Sequence, residues 1–166
     1  MALTLGVVGV SSAQGWFTVS DTKPNTIKAG VFYPLDSDVR DATEDIWITL
    51  GYERVIAEMP ESASELTAGA DWLFQSDLDI IPLTLNWRMY SGGATGVKGT
   101  YYGAGIGAYM VSGSGPAAGY DVTRLGYNAF VGMPLNKDLT LELKYHYVKA
   151  GGDNVGGLAA TVGWKF

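Results

Sequence analysis

From residue 27 to residue 166, apolar side chains recur at every second position. That is the period of a strand with one apolar face, not the 3.6-residue period of a helix. The first run is 27–33. The second, 46–56, sets Ile46, Ile48, Leu50 and Tyr52 against Trp47, Thr49, Gly51 and Glu53. The third sets Leu66, Ala68, Ala70, Trp72 and Phe74 against Glu65, Thr67, Gly69 and Asp71. In the fourth, Ile81, Leu83, Leu85, Trp87 and Met89 oppose Pro82, Thr84, Asn86 and Arg88. Four more runs follow, built on Tyr102–Met110, Leu125–Met133, Leu139–Tyr147 and Leu158–Phe166. Turn-rich stretches at 36–45, 57–64, 75–77, 91–97, 112–119, 134–138 and 150–154 separate them. Strands of about nine to eleven residues cross a bilayer when tilted. Short turns between neighbours predict an all-β fold, an eight-stranded antiparallel up-and-down transmembrane β-barrel, whose closure leaves no edge. No composition shift marks a second domain, and no fixed-length repeat suggests a solenoid.

Alternation alone leaves open which face points out. A soluble lipocalin-like barrel keeps apolar residues inside, and a membrane barrel reverses this. The polar face carries Lys28, Glu53, Asp71, Arg88, Arg124, Glu142, Lys144 and Lys165, set among Gly, Thr and Asn. A sheet face in water would hold more Lys and Glu. An eight-stranded lumen has room only for its own side chains, so compact residues and pairable charges suit it. Five of these charges are positive and three negative, so most find a partner. Glu142, Lys144 and His146 share one face of one strand and read as a satisfied polar plug, with a proton-sensitive gate as the functional alternative. Aromatic residues point the same way. Tyr33, Phe74, Tyr120 and Tyr147 fall near one rim, and Trp87, Tyr90, Tyr102 and Trp164 near the other, as in the girdles at lipid–water interfaces.

Composition narrows the chemistry. The 166 residues contain no Cys and one His, which excludes disulfides, thiolate metal sites, a Cys nucleophile and a multi-His metal site. A net charge of −6 argues against nucleic-acid binding through phosphate neutralisation. Gly103, Gly105 and Gly107 have neither the spacing nor the strand-to-helix context of a nucleotide loop. On a strand they read as relief for bulky lumen neighbours such as Arg88 and Arg124, or as room for curvature. No catalytic, cofactor or metal site is expected. The acidic stretch 36–45 lacks calcium-loop spacing and reads as a solvated hairpin tip, and Glu58, Glu61 and Glu65 read as solvated charges around the next turn. At the start, 2–10 is apolar, and Ser11 and Ala13 take the −3 and −1 places of a cleavage site before Gln14. Residues 1–13 are therefore expected to be a signal-peptide remnant without its charged start. Residues 14–26 are then an N-terminal periplasmic segment, and 27–166 the barrel.

Leu158, Ala160, Val162 and Trp164 lead at every second position to Phe166. This run resembles the C-terminal signal of bacterial outer-membrane barrels that the barrel-assembly machinery recognises. With the leader and the eight alternating runs, residues 27–166 resemble the small outer-membrane barrels of the OmpA/OmpX type. The turn Pro134-Leu135-Asn136-Lys137-Asp138 resembles their tight periplasmic turns. The resemblance implies the bacterial outer membrane, both termini in the periplasm, and 36–45 outside the cell. The expected partners are the lipid bilayer, lipopolysaccharide and the assembly machinery, with no nucleic acid and a monomeric chain. The expected role is non-enzymatic, structural or interactive, with a lipid-modifying enzyme or a narrow pore as alternatives. His146-Tyr147-Val148-Lys149-Ala150-Gly151 is similar to the His-x-Ser-Asn-Ala-Gly segment of outer-membrane lipid A deacylases. Only His146, Ala150 and Gly151 match. Val148 stands at the place of the nucleophilic Ser, and alternation turns His146 into the lumen.

Overall fold

The computed structural model describes residues 23–43, 45–91, 99–114, 121–150 and 152–166. The expected leader, most of the segment 14–26, Glu44 and Tyr120 lie outside the described residues. The chain forms an eight-stranded closed antiparallel barrel. Its first seven strands are β1 (Asn25–Pro34), β2 (Trp47–Met59), β3 (Ser64–Phe74), β4 (Leu78–Tyr90), β5 (Tyr101–Gly113), β6 (Val122–Pro134) and β7 (Leu139–Tyr147). A small hairpin of β8 (Lys149–Ala150) and β9 (Asp153–Asn154) follows. Strand β10 (Gly157–Lys165) then closes the barrel between β7 and β1. The seam runs from Pro34 opposite Gly157 to Thr26 opposite Lys165. Strand β1 thus starts two residues before the first apolar run, because Asn25 and Phe166 exchange backbone hydrogen bonds of 3.3 and 2.9 Å. A bulge between Val55 and Ala57 lets β2 continue through the expected turn to Met59.

The alternation sorts in the direction of a membrane barrel. Ile48, Leu85, Ile106, Leu143 and Val162 are exposed on the outside, and Leu125 is 80 % exposed. Thr49, Thr84, Asn86, Asn128 and Glu142 are buried inside. A barrel dissolved in water would gain nothing by burying the polar set and presenting the apolar one.

Two different materials fill the lumen. The half nearest the termini is charged. The opposite half, the loop end, is apolar, with Phe32, Trp47, Leu73, Leu78, Ile80, Tyr109 and Val111 packed around Val148, Val155 and Ala159. A uniformly polar lumen, expected from the strand centres, is therefore corrected. At the loop end these inward positions are themselves apolar. The 36–45 stretch is also not a bare hairpin tip. It folds into a short helix, α1 (Ser37–Ala42), whose N-cap Asp36 accepts a hydrogen bond from the Asp38 N–H at 3.0 Å. Val39 from this helix joins the apolar cluster and is 1 % exposed. Arg40 anchors the helix, donating to the Pro34 and Leu35 carbonyls at 3.0 and 2.8 Å.

Several lumen glycines make slots for rings. Gly103 faces Phe130 across the β5–β6 ladder, and Gly132 faces Tyr101. A Cβ on Gly103 would lie 2.1 Å from the Trp87 carbonyl oxygen and 2.4 Å from the Phe130 ring. One on Gly132 would lie 2.2 Å from the Tyr101 ring, and one on Gly126 2.6 Å from Tyr109. Of the three β5 glycines, Gly103 meets Phe130, Gly105 meets Asn86 and Gly107 meets the Leu83 backbone, so none of them makes room for Arg88 or Arg124. Gly69 differs, since nothing would come within 3.5 Å of its Cβ. Gly103→Ala is therefore expected to cost ~1–3 kcal/mol by overpacking, whereas Gly69→Ala should be neutral or slightly stabilising. Urea unfolding in detergent micelles measures both, and equal midpoints for the two variants would contradict the slot assignment.

Candidate functional site

The charged half of the lumen is one connected cluster. Lys28, from β1, donates to Glu53 Oε2 at 3.1 Å and to Glu142 Oε1 at 2.8 Å. Arg88, from β4, pairs with Glu53 and reaches Glu65 Oε2 at 3.5 Å and Glu142 Oε2 at 3.6 Å. Lys144, beside Glu142 on β7, bridges Asp71 Oδ2 at 3.1 Å and Glu142 Oε1 at 3.4 Å. Two tyrosines add donors: Tyr90 to Glu65 Oε2 at 2.7 Å, and Tyr101 to Glu142 Oε2 at 3.1 Å. The Arg88 guanidinium also lies 4.5 Å from the Tyr101 ring centre, a cation–π distance. Three cations and four carboxylates thus share the space, and the phenol hydroxyls help satisfy the surplus oxygens.

Period-two geometry brings the cluster together. The members sit at inward positions of β1, β2, β3, β4, β5 and β7, and barrel closure sets those positions across from one another. An isolated buried charge would be too costly to keep, but every carboxylate here touches a cation. Above the cluster lies a neutral layer. Asn128 donates to Asn86 Oδ1 at 2.9 Å, and Asn86 to Thr67 Oγ1 at 3.4 Å. The Tyr109 hydroxyl lies 3.1 Å from His146 Nδ1. Among the described residues, no group of carboxylates and histidine is arranged to hold a metal ion.

Lys28, Glu53, Arg88, Glu142, Lys144 and His146 are buried in the lumen, and Asp71 joins them with a side chain 11 % exposed. Arg124 has the inward parity but lies exposed at the loop-end start of β6, outside the cluster. Lys165 is half-buried at the opposite rim, where its N–H donates to the Asp138 carbonyl at 2.8 Å. Glu65 is corrected from a solvated charge to a buried member, 3 % exposed. Its inward parity in the third run was the signal that could have found it. Tyr90 is corrected from the girdle to the lumen side, because it shares the parity of Arg88 and bonds Glu65. Tyr101 and Phe130 were missed, although both alternate in step with the lumen glycines.

Of the remaining girdle positions, Tyr33 faces outward near the loop-end rim and Trp87, Tyr102 and Trp164 near the terminal rim. Phe74 packs on Trp72 with ring centres 4.7 Å apart, and Tyr147 stacks on Tyr127 at 4.7 Å, both near the loop end. Ala160, Val162, Trp164 and Phe166 are exposed on the outside, with Leu158 half-buried in the same row.

No family model matches this chain, and no curated protein matches it. Solved structures do. A de novo designed transmembrane β-barrel is similar at 11 % identity, over 90 % of this chain and 100 % of that one, with a TM-score of 0.58. The outer-membrane protein Ail of Yersinia pestis, in a phospholipid bilayer nanodisc, is similar at 13 % identity, over 86 % and 98 % of the two chains, with a TM-score of 0.56. The designed protein TMB2.3 gives 13 % identity, 87 % and 95 % coverage, and a TM-score of 0.54. At these identities the shared property is the barrel fold itself.

The cluster geometry sets a stability prediction. Arg88→Ala removes the cation shared by Glu53, Glu65 and Glu142 and is expected to cost ~3–5 kcal/mol. Adding Glu53→Gln to the Arg88→Ala background should recover part of that loss, because it withdraws the stranded charge. Urea unfolding of the single and double variants in detergent micelles tests this, and strict additivity would contradict the coupling.

Proposed function

We propose that this chain is a non-enzymatic outer-membrane barrel of a bacterial cell envelope, in the class of the small OmpA/OmpX-type barrels, with a structural or interaction role. The observation that carries the reading is the pairing of an apolar exterior with a lumen filled from end to end. Side chains of the charged cluster occupy one half, and the apolar cluster with Val39 occupies the other. The similarity to Ail and to designed transmembrane barrels supports the membrane setting. On this reading lipid and lipopolysaccharide surround the belt, the assembly machinery engages the row ending in Trp164 and Phe166, the chain is monomeric, and nucleic acid is no partner.

The packed lumen favours this role over a pore. Eight strands leave room for side chains, whereas 16–18-stranded porins leave an open aqueous channel. Against a deacylase stands Val148, which has no oxygen to attack an ester and is 1 % exposed within the apolar cluster. His146 points to Tyr109 inside the barrel, away from any acyl chain outside it.

Expressed in a Gram-negative host, the protein is expected in the outer-membrane fraction, extractable only with detergent. Folded and boiled samples should migrate differently on a gel, and planar bilayers should show no steady single-channel current. Recovery as a monodisperse soluble protein would overturn the membrane setting, and a reproducible conductance would overturn the closed lumen. Mass spectrometry of lipid A from the same host is expected to show unchanged acylation. A lost acyl chain that returns in a His146→Ala variant would overturn the non-enzymatic reading.

A further inference from the structure

Above the charged cluster lies a cavity of about 10 Å³, bounded by Lys28, Thr49, Asp71, Glu142, Lys144, His146, Ala159 and Thr161. That is on the order of the space one water molecule needs. His146 is 1 % exposed, and its Nε2 has no hydrogen-bond partner in the protein. The other ring nitrogen, Nδ1, lies 3.1 Å from the Tyr109 hydroxyl. With Nδ1 engaged by Tyr109, Nε2 is the ring nitrogen left for the cavity that His146 lines.

Proton counting points to one tautomer of the ring. The Tyr109 hydroxyl has one proton and donates it to the Tyr127 carbonyl at 3.2 Å. Toward His146 it therefore accepts, and Nδ1 carries the ring hydrogen. Nε2 is then a bare acceptor, buried and facing the cavity. A buried acceptor without a donor costs ~1–3 kcal/mol, so the site calls for a small molecule that donates.

We propose that this cavity is a binding site for one long-lived water molecule that donates to His146 Nε2 and uses its remaining bonds on the polar walls. The wall charges favour a neutral occupant. The ammoniums of Lys28 and Lys144 stand against the carboxylates of Asp71 and Glu142, two of each sign. A cation would meet both ammoniums and an anion both carboxylates. The polar lining in turn disfavours an apolar guest. The water then joins the charged half of the lumen to the apolar half, through His146 and Tyr109. This inference does not depend on the proposed envelope role, because it concerns the interior alone.

The chain's single histidine makes the test unambiguous. In ¹⁵N-labelled protein refolded into detergent micelles at neutral pH, ring nitrogen shifts report the tautomer. Cross-relaxation between the ring protons and water reports a bound molecule. A neutral ring with hydrogen on Nδ1, together with a water cross-peak, is the expected result. Hydrogen on Nε2, a doubly protonated ring, or no water cross-peak would each overturn the proposal. Ala159→Val places added methyls on the cavity wall and is expected to abolish the cross-peak while the tautomer stays. Survival of the cross-peak in that variant would place the water elsewhere and overturn the site. Should the variant not refold, the measurement on the unmodified protein decides alone.

Discussion

The Arg88 guanidinium is the point on which the interior turns. It faces Glu53, Glu65 and Glu142, contributed by β2, β3 and β7, while itself standing on β4. Each carboxylate that it satisfies is satisfied again: Glu53 and Glu142 by Lys28, Glu142 also by Lys144 and Tyr101, and Glu65 by Tyr90. Such a cluster is all-or-none. Removing one member strands others as buried charges, so the register of those strands is fixed by the same contacts that fill the space. The glycine slots serve this geometry. Without Gly132 the Tyr101 ring would lose its seat, and Tyr101 both stacks under Arg88 and donates to Glu142.

The apolar half does a different job with the same economy of space. Its aliphatic side chains seal the loop end by packing. Val39 shows why a loop takes part. Strands that end near the rim cannot cover the mouth with inward side chains, so an element crossing above it must supply one. Arg40 holds that element down through two backbone carbonyls. The neutral layer of Asn86, Asn128, Tyr109 and His146 sits between, where hydrogen bonds can face charges on one side and rings on the other.

Period two made the architecture legible before any coordinates. It sorted Leu85 from Asn86 and Ile106 from Gly105, and the residue types on the two faces said which one pointed outward. What it does not carry is height along the lumen. Arg124 and Arg88 share the inward parity, yet one is exposed at a rim and the other is at the centre of the cluster. The same blindness hid the apolar half, since Trp47, Leu78 and Ile80 lie at strand ends where the inward positions are themselves apolar. Glu65 and Tyr90 were misread for a related reason. Both stand next to turns, where composition suggests solvent, but their parity places them inside. Val39 had no periodic signal at all, because its burial follows from the path of a loop across the mouth.

Closure is the remaining constraint, and it explains why the seam is built from backbone as much as from side chains. An open sheet would present a row of unpaired N–H and C=O groups, and in hydrocarbon each would cost several kcal/mol. Strand β10 therefore pairs along β1 up to Thr26, and the Asn25–Phe166 exchange extends the ladder one step further. Beyond it, Lys23 clasps Asp138 in the β6–β7 turn and holds that carboxyl below the usual carboxylate range. Such a clasp favours the closed form while the carboxyl is ionised and weakens as pH falls through its lowered value. The clasp is exposed and so adds little by itself. The ladder beneath it carries the closure, because only a ring of strands leaves no backbone group facing lipid.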